Sequence, residues 1–189
     1  MEVDDKSIYE VIMGRMKLTD VMEETEFKNL SIAGSDVRLA NAELELVEVE
    51  KREYRLKTAV QSVQQDFDFI FIDCPPSLGL LTINALGAAD SVLIPIQCEY
   101  YALEGVASLM NTISRVKKTI NPHLEIEGVL LTMLDGRTNL GLQVVDEVKK
   151  HFKKQVYATV IPRSVRLGEA PSHGEPIHVY DKRLSLIHI

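Results

Sequence analysis

The sequence lacks several features that define whole classes of protein. Its 189 residues include only two cysteines, Cys74 and Cys98, which are too few for a disulfide framework or a cysteine-based metal site. The five histidines show no metal-ligand spacing. No apolar run approaches the roughly 18 residues of a membrane helix, and the acidic opening MEVDDKSIYE is unlike a secretory signal. We therefore expect a cytoplasmic protein.

Positive charge is also scarce. There are 21 basic residues against 28 acidic ones, which gives a formal net charge of −7. This balance argues against a protein coated in positive charge for nucleic acid, but it leaves room for a local basic surface. The acids concentrate before residue 70, whereas many of the bases lie between Arg137 and Arg183. Any surface that faces a polyanion is therefore expected in the second half of the chain.

Apolar and amphipathic segments alternate from residue 66 onward. Four short apolar runs predict strands buried on both faces of a parallel sheet; they are residues 69–72, 91–96, 126–133 and 156–161. Three- and four-residue periodicity predicts amphipathic helices at 102–120 and 143–152. The pattern predicts an α/β fold with a mostly parallel sheet flanked by helices. The first clear strand begins near residue 69, so we expect this sheet to be incomplete at its N-terminal side.

The first third of the chain is expected to be mainly helical. Apolar spacing predicts short helices around residues 8–12 and 18–22, and a brief strand at 30–33. Residues 38–65 predict a long charged helical stretch with a break near 49–53. We expect one domain over residues 1–183, followed by an atypical apolar tail at 184–189.

The strongest functional signal is the segment FIFIDCPPSLGLLTIN at residues 69–84. An acid such as Asp73, at the carboxyl end of a parallel strand, lies where open α/β sheets hold ligands. In nucleotide triphosphatases this acid orients Mg²⁺ and its water; the alternative interpretation is a turn or cap acid. Pro75 and Pro76 stiffen the backbone and Gly79 relaxes it before a helical segment. Such a segment would sense a γ-phosphate by moving as a unit.

A longer match places this segment in a family. The matching stretches are DCPPSLGLLTINAL at 73–86, SVLIPIQCEYYALEG at 91–105, LLTMLDGRTNL at 130–140 and VIPRSVRLGEAPSHGEPI at 160–177. In unbroken order over residues 3–183, the chain closely resembles the ParA/Soj family of chromosome- and plasmid-partitioning ATPases, which have the P-loop NTPase-like fold with a deviant Walker A motif.

The resemblance implies a nucleotide site for ATP and Mg²⁺. Asp73 matches the Walker B acid, which holds Mg²⁺ through water. The switch II segment is matched by Pro75, Pro76, Ser77 and Gly79. Pro162 and Arg163 match the loop that borders the adenine in relatives.

The resemblance also implies partners. ATP would join two copies into a homodimer, the dimer would bind DNA non-specifically, and hydrolysis would release it. A centromere-binding ParB-like protein would stimulate hydrolysis, on the nucleoid in the cytoplasm and away from any membrane. Arg137 matches an arginine implicated in the DNA contact, and Arg166 is a second, weaker candidate. Spacing alone would make these two, with Lys153, Lys154 and Arg163, ordinary surface bases.

Two family features do not occur among the 189 residues. No glycine-rich loop with a lysine is present, and no second strand follows with the acid that positions the attacking water. We therefore expect an incomplete catalytic set, with no tight binding or hydrolysis of ATP by this polypeptide alone. The alternatives are a non-catalytic short form that binds DNA or a partner protein, and a MinD-like cell-division-site ATPase.

Three further expectations concern single features. Without the family's preceding strand, the 69–72 strand would keep unpaired backbone and exposed apolar surface. Cys74 is expected to be a buried, inert thiol. Tyr100 and Tyr101 are expected to pack in the core or at the start of a helix rather than to stack on a ligand.

Overall fold

The structure, a computed structural model, describes residues 6–184. Except for Leu184, the predicted apolar tail lies outside the described residues. The described chain divides into two compact units. The helical unit comprises residues 6–90 and 111–124, and the sheet unit comprises residues 91–110 and 125–184.

The helical unit contains five helices and a small sheet within the described residues. The helices are α1 (Ile8–Ile12), α2 (Leu18–Val21), α3 (Leu39–Glu45), α4 (Arg55–Gln61) and α5 (Leu80–Ala88). The strands β1 (Met22–Glu24) and β2 (Ser31–Ala33) pair antiparallel. The two short helices and the brief strand predicted for this region are confirmed. The predicted break is confirmed too, because 3-10 turns and a left-handed Lys51 separate α3 from α4.

The core of the helical unit consists of two apolar clusters. One joins α1 to α3 through Tyr9, Ile12, Ala42 and Leu46. The other contains Val11, Leu18, Val21 and Val63. Because α1 contributes to both clusters from opposite faces, this short helix joins the other elements of its unit.

A charged network surrounds the buried ring of Tyr9. The guanidinium groups of Arg15 and Arg38 lie 5.3 and 5.0 Å from the ring centroid. Arg38 also donates to the buried Glu10 carboxylate at 2.8 Å, and the Tyr9 hydroxyl donates to Glu45 at 2.9 Å. The buried acid is therefore paired, as the cost of desolvating a charge requires.

The predicted strand at residues 69–72 is not formed. This segment is extended but pairs with no strand in the described part of the chain. Phe69 and Phe71 are 79% and 88% exposed. The apolar pattern indicates a preference for burial. Strand formation also needs a neighbouring strand whose backbone groups complete the hydrogen bonds. The unpaired backbone and exposed apolar surface anticipated for this segment are confirmed.

The sheet unit is built on three parallel strands in the order β3-β4-β5. The strands are β3 (Ser91–Gln97), β4 (Glu125–Leu134) and β5 (Val156–Pro162). The helices are α6 (Ala102–Thr119), α7 (Asn139–Phe152), α8 (Val165–Glu169) and α9 (Ile177–Tyr180), of which α6 ends in the helical unit. The predicted strands and both long helices are confirmed, and α8 and α9 were not predicted.

The paired strands β3 and β4 bury an aliphatic layer. Ile94 and Ile96 of β3 and Val129 and Leu131 of β4 are all at most 2% exposed, and β3 pairs with β4 from Ser91↔Glu125 to Gln97↔Thr132. Burial on both faces was the wrong prediction for β3 and β5. The residues of β3 alternate between buried and exposed, as when one face only is covered, and no residue of β5 is fully buried.

The overall class is the one predicted, a mostly parallel sheet flanked by helices. Helix α7 covers the sheet with a buried apolar face; its buried side chains are Val144, Val145, Val148 and Phe152. Among the described residues, no helix is both long enough and apolar enough to cross a membrane.

Candidate functional site

Asp73 ends the extended segment and exposes its carboxylate to solvent. Among residues 6–184, no hydrogen bond or ion pair engages this carboxylate. An exposed oxygen ligand suits Mg²⁺, which prefers oxygen donors and keeps several of its waters. The Asp73 carboxylate is therefore suited to hold a magnesium ion through a water molecule.

The neighbouring Cys74 is exposed, so the prediction of a buried thiol was wrong. Desolvation of the sulfur raises the pKa of the Cys74 thiol, and the negative charge of Asp73 raises it further. A raised pKa disfavours the reactive thiolate. The expected inertness of the thiol stays a prediction, which both effects favour.

The segment predicted as switch II leads directly into α5. Gly79 is the residue before the helix, and its carbonyl accepts the first helical hydrogen bond from Ile83 at 3.1 Å. The buried Thr82 hydroxyl donates back to the Ser77 carbonyl at 2.5 Å. Pro75 and Pro76, both exposed, lie between Asp73 and this contact. The end of the segment is therefore folded against the first turn of α5.

A carboxylate from α3 completes this first turn. The Leu81 N–H donates to Glu43 Oε1 at 3.2 Å. Helix α5 has no acidic residue of its own in the first turn and no side-chain cap at Gly79. Because free N–H groups at a helix N-terminus favour negative charge, Glu43 supplies a missing cap.

An open cavity of about 530 Å³ lies in the sheet unit. It forms at the carboxyl ends of the strands, which is the ligand-binding edge of open α/β sheets. The residues that line it include Glu99, Tyr100, Tyr101, Met133, Asp135 and Arg163. Its volume is within the usual range for small-molecule sites.

Two aromatic side chains and a strained residue shape this cavity. Tyr100 and Tyr101 are 69% and 79% exposed and meet edge to face at 5.4 Å. The predicted location at a helix start is correct, since α6 begins at Ala102, but burial in the core was wrong. Met133, near the end of β4, has a φ of 53°. This left-handed conformation is unfavourable for a side chain with a Cβ, and such residues cluster at functional sites.

Pro162 and Arg163, the residues predicted to border the adenine, follow one another at the end of β5. Pro162 pairs with Leu134 at the end of β4, and the Arg163 N–H donates to the Leu134 carbonyl at 3.0 Å. The Arg163 side chain forms an ion pair with Glu99. The structure thus places Arg163 on the cavity wall, held through its backbone and its guanidinium group.

Arg137, the predicted DNA contact, lies on the loop between β4 and α7. Its side chain is 90% exposed, but its Nη2 pairs with Asp135 at 2.7 Å and its Nε donates to the same carboxylate at 2.9 Å. The fixed fork of the guanidinium group favours this two-point contact.

The Asp135–Arg137 pair has a defined response to pH. The side-chain and backbone hydrogen bonds from Arg137 hold the pKa of the Asp135 carboxyl well below its usual range. A carboxyl group whose pKa is lower in the folded state than in the unfolded state stabilises the fold at pH values above its unfolded-state pKa. This contribution is lost as the pH falls through the folded-state pKa. The pair therefore persists at neutral pH.

Arg166, the weaker DNA candidate, is also paired with acids. It lies on α8, where it donates to Glu169 at 2.9 Å and approaches Asp181 at 3.7 Å. The Tyr180 hydroxyl donates to the same Glu169 carboxylate at 3.2 Å. These contacts tie α8 to α9, so Arg166 also has a structural role.

Comparison with known proteins gives the relatives of this chain. A family model described as an AAA domain matches residues 1–126. The sporulation initiation inhibitor protein Soj of Bacillus subtilis is 57% identical over 179 residues, which is 95% of this chain and 71% of that protein. The chromosome partitioning protein ParA of Myxococcus xanthus is 51% identical over 93% of this chain and 62% of its own length. This chain belongs to the ParA/Soj family.

Solved structures share the ParA/Soj fold of this chain. Cobyrinic acid a,c-diamide synthase from Mycobacterium smegmatis, with bound ATP analogue and magnesium, matches with a TM-score of 0.77 at 39% identity, covering 84% of this chain and 62% of that one. Cyanothece McdA in its apo form matches with a TM-score of 0.87 at 20% identity, covering 100% and 77%. The second likeness shows the fold alone. The first shows that a nucleotide and magnesium occur in a solved relative.

Within the ParA/Soj chain, sequence reasoning missed the partners of its candidate residues. It did not foresee that Asp135, Glu99 and Glu169 would pair with the three candidate arginines. For Arg137 a signal existed, because Asp135 lies two residues away and such spacing favours a local ion pair. For Glu43, 36 residues before Gly79, no local signal existed.

Proposed function

We propose that this chain carries the magnesium and switch side of an ATP-driven DNA-partitioning protein. In this proposal ATP joins two copies, the dimer binds DNA without sequence preference, and hydrolysis releases it. A ParB-like protein at a centromere-like site stimulates hydrolysis, and the protein works in the cytoplasm on the nucleoid. The observation that carries the proposal is the unengaged, exposed Asp73 carboxylate at the start of a segment anchored to α5.

Asp73 would hold the magnesium ion through a water molecule. When bound, magnesium neutralises charge on the nucleotide phosphates. A carboxylate without another partner can accept hydrogen bonds from metal-bound water without first breaking an internal contact. The solved relative with an ATP analogue and magnesium supports this role.

Residues 75–79 would respond to the state of the nucleotide. The two prolines limit the backbone freedom of this segment, and Thr82 ties the Ser77 carbonyl to α5. A displacement at Asp73 would therefore reach the helix rather than dissipate in a flexible loop. This supports a switch in which Asp73 and α5 move together.

The cavity of the sheet unit would receive the base of the nucleotide. Its position at the carboxyl edge of the strands, its volume and its aromatic wall support this use. Pro162 and Arg163 border it, as the family resemblance implies. The Arg163 side chain forms an ion pair with Glu99, which also lines the cavity.

DNA would be bound by exposed arginines of the sheet unit. Arg137 is the main candidate because of its exposure, and Arg166 is the second. Each must exchange an acidic partner for a phosphate, so the gain per contact is smaller than for an unpaired arginine. This competition is consistent with DNA binding that is readily reversed.

A chimera of a relative tests the role of Asp73. The matched 179 residues of Bacillus subtilis Soj are replaced by this chain, and ATP hydrolysis is measured against magnesium concentration. We expect Asp73→Asn to lower kcat by about a hundredfold and to raise the magnesium requirement, because several kcal/mol of charge stabilisation are lost. The matched control is Asp68→Asn. Asp68 is an exposed acid just before the 69–72 segment, and its substitution should leave kcat and the magnesium requirement unchanged.

Two results would count against the proposed function. One is an Asp73→Asn chimera with full magnesium-dependent hydrolysis. The other is a parent chimera that folds, as judged by circular dichroism and a cooperative thermal transition, yet hydrolyses no ATP.

A further inference from the structure

The contact between Glu43 and α5 lies outside the residues assigned to the nucleotide site. Glu43 is half-buried on α3 and accepts the Leu81 N–H at 3.2 Å. It is a long-range contact, since 38 residues separate the partners. Among the described residues, no other side chain accepts a hydrogen bond from the first N–H groups of α5. The first turn of the helix therefore depends on a carboxylate from another element.

Gly79 permits this contact. A Cβ at position 79 would lie 2.2 and 2.6 Å from the two carboxylate oxygens of Glu43. Because these distances are far below van der Waals contact, any larger residue at 79 would force the Glu43 side chain away. The glycine of the switch segment thus provides the space that Glu43 occupies.

Apolar packing fixes the position of Glu43. Ala42 on α3 and Leu46, the residue that follows α3, are fully buried in a cluster with Tyr9 and Ile12. Leu80 and Leu81, the first residues of α5, pack against the same cluster. The carboxylate is therefore presented by a helix that is itself anchored beside the α5 N-terminus.

A second hydrogen bond connects this turn to the switch segment. Thr82, next to Leu81, donates to the Ser77 carbonyl at 2.5 Å. Only three residues, two of them prolines, lie between Asp73 and Ser77. Whatever fixes the first turn of α5 therefore restricts where Asp73 can lie.

We propose that Glu43 is a positioning residue for the switch. It holds the first turn of α5 in place, and through Thr82 and Ser77 it sets the position of the Asp73 carboxylate. This role rests on the proposed function, because it concerns how Asp73 meets magnesium. Glu43 itself touches neither nucleotide nor metal in this scheme.

The first test measures the contact in the 189-residue chain, independently of any ATPase. Amide hydrogen exchange at Leu81 should become about fivefold faster in Glu43→Ala, because one hydrogen bond is lost. Glu43→Gln should largely restore protection, since its amide oxygen can still accept. Glu48→Ala, an exposed glutamate of the following turn, is the matched control. Unchanged exchange at Leu81 in Glu43→Ala would overturn the proposal.

The second test measures the consequence in the Soj chimera. Glu43→Ala should lower kcat about fivefold and raise the magnesium concentration for half-maximal rate, while KM for ATP changes less than about twofold. Glu43→Gln should restore most of the rate. Gly79→Ala should reproduce the Glu43→Ala effect, and the double variant should be no worse than either, because both remove one contact.

The outcomes separate the two proposals. An active chimera in which Glu43→Ala changes neither kcat nor the magnesium requirement overturns the role of Glu43 and leaves the proposed function standing. A folded chimera without ATPase activity removes the proposed function, and with it the role assigned to Glu43.

Discussion

At the scale of single residues, the candidate arginines are distinguished by their acidic partners. Arg137 is almost fully exposed, yet Asp135 occupies its guanidinium fork at 2.7 and 2.9 Å. An exposed pair of this kind contributes little to stability because solvent screens it. Its larger effect is on binding, since a phosphate must displace the carboxylate before it can use both N–H groups.

We expect Arg137→Ala in the Soj chimera with ATP to weaken DNA binding equally for all sequences. The slope of log affinity against log salt should fall by about one, because one phosphate contact is lost. Asp135→Asn should tighten binding, since it removes the competitor. Fluorescence anisotropy over a sodium chloride series measures both.

Lys150→Ala is the matched control for this experiment. Lys150 is likewise exposed and paired with an acid, Glu147, at 2.7 Å, but it lies on the polar face of α7. If Arg137→Ala and Lys150→Ala have the same salt slope as the unaltered chimera, Arg137 makes no phosphate contact.

At the scale of elements, α5 is tied by side chains along its whole length. Glu43 caps its N-terminus, and Asn121 donates to the carbonyls of Leu86 and Ala89 at 3.0 and 2.7 Å near its C-terminus. In its middle, the fully buried Asn84 accepts the Leu56 N–H at 3.1 Å and so serves the first turn of α4. A helix held in this way is suited to transmit a displacement rather than to absorb it.

Asn84→Ala should destabilise the chain by about 3 kcal/mol, because a buried N–H and two carbonyls lose their partner. Asn84 also donates to the carbonyls of Arg52 and Leu80 at 2.9 and 3.0 Å. Urea unfolding followed by circular dichroism, at a concentration where the chain is monomeric, measures the loss. Asn41→Ala, an exposed asparagine of α3, should stay within about 0.5 kcal/mol. Equal midpoints for the two variants would contradict the role of Asn84.

Local pattern predicted the three strands and the two long helices of the sheet unit, because these elements leave periodic or contiguous traces in the sequence. The amphipathic spacing of α7 and the apolar runs of β3, β4 and β5 fall in this class. Family resemblance suggested the residues of the switch, and their role stays a prediction. Contacts between residues that are distant in the sequence leave no such trace. Glu43 beside Gly79 and Asn84 beside Leu56 are set by packing, and single-sequence periodicity carries no information on which helices meet.

At the scale of the whole molecule, the 69–72 segment leaves three consecutive apolar side chains exposed, those of Phe69, Ile70 and Phe71. In an extended chain alternate side chains share a face, and the rings of Phe69 and Phe71 accordingly lie 6.3 Å apart on one side. Their backbone groups have no strand partner in the described part of the chain. Exposed aromatic surface beside unpaired backbone is a template for association with another chain.

We expect the 189-residue chain to self-associate as its concentration rises, and Phe71→Lys to suppress this, because a charge on the exposed apolar segment opposes both ring burial and strand pairing. Sedimentation velocity over a concentration series measures the effect. The matched control is Val37→Lys, which places the same charge on a side chain of equal exposure outside the segment, 89% against 88%. If Val37→Lys also suppresses self-association, the change in net charge and not the 69–72 segment is responsible. A concentration-independent monomer with a sharp, cooperative thermal transition would show that the 69–72 surface does not drive association.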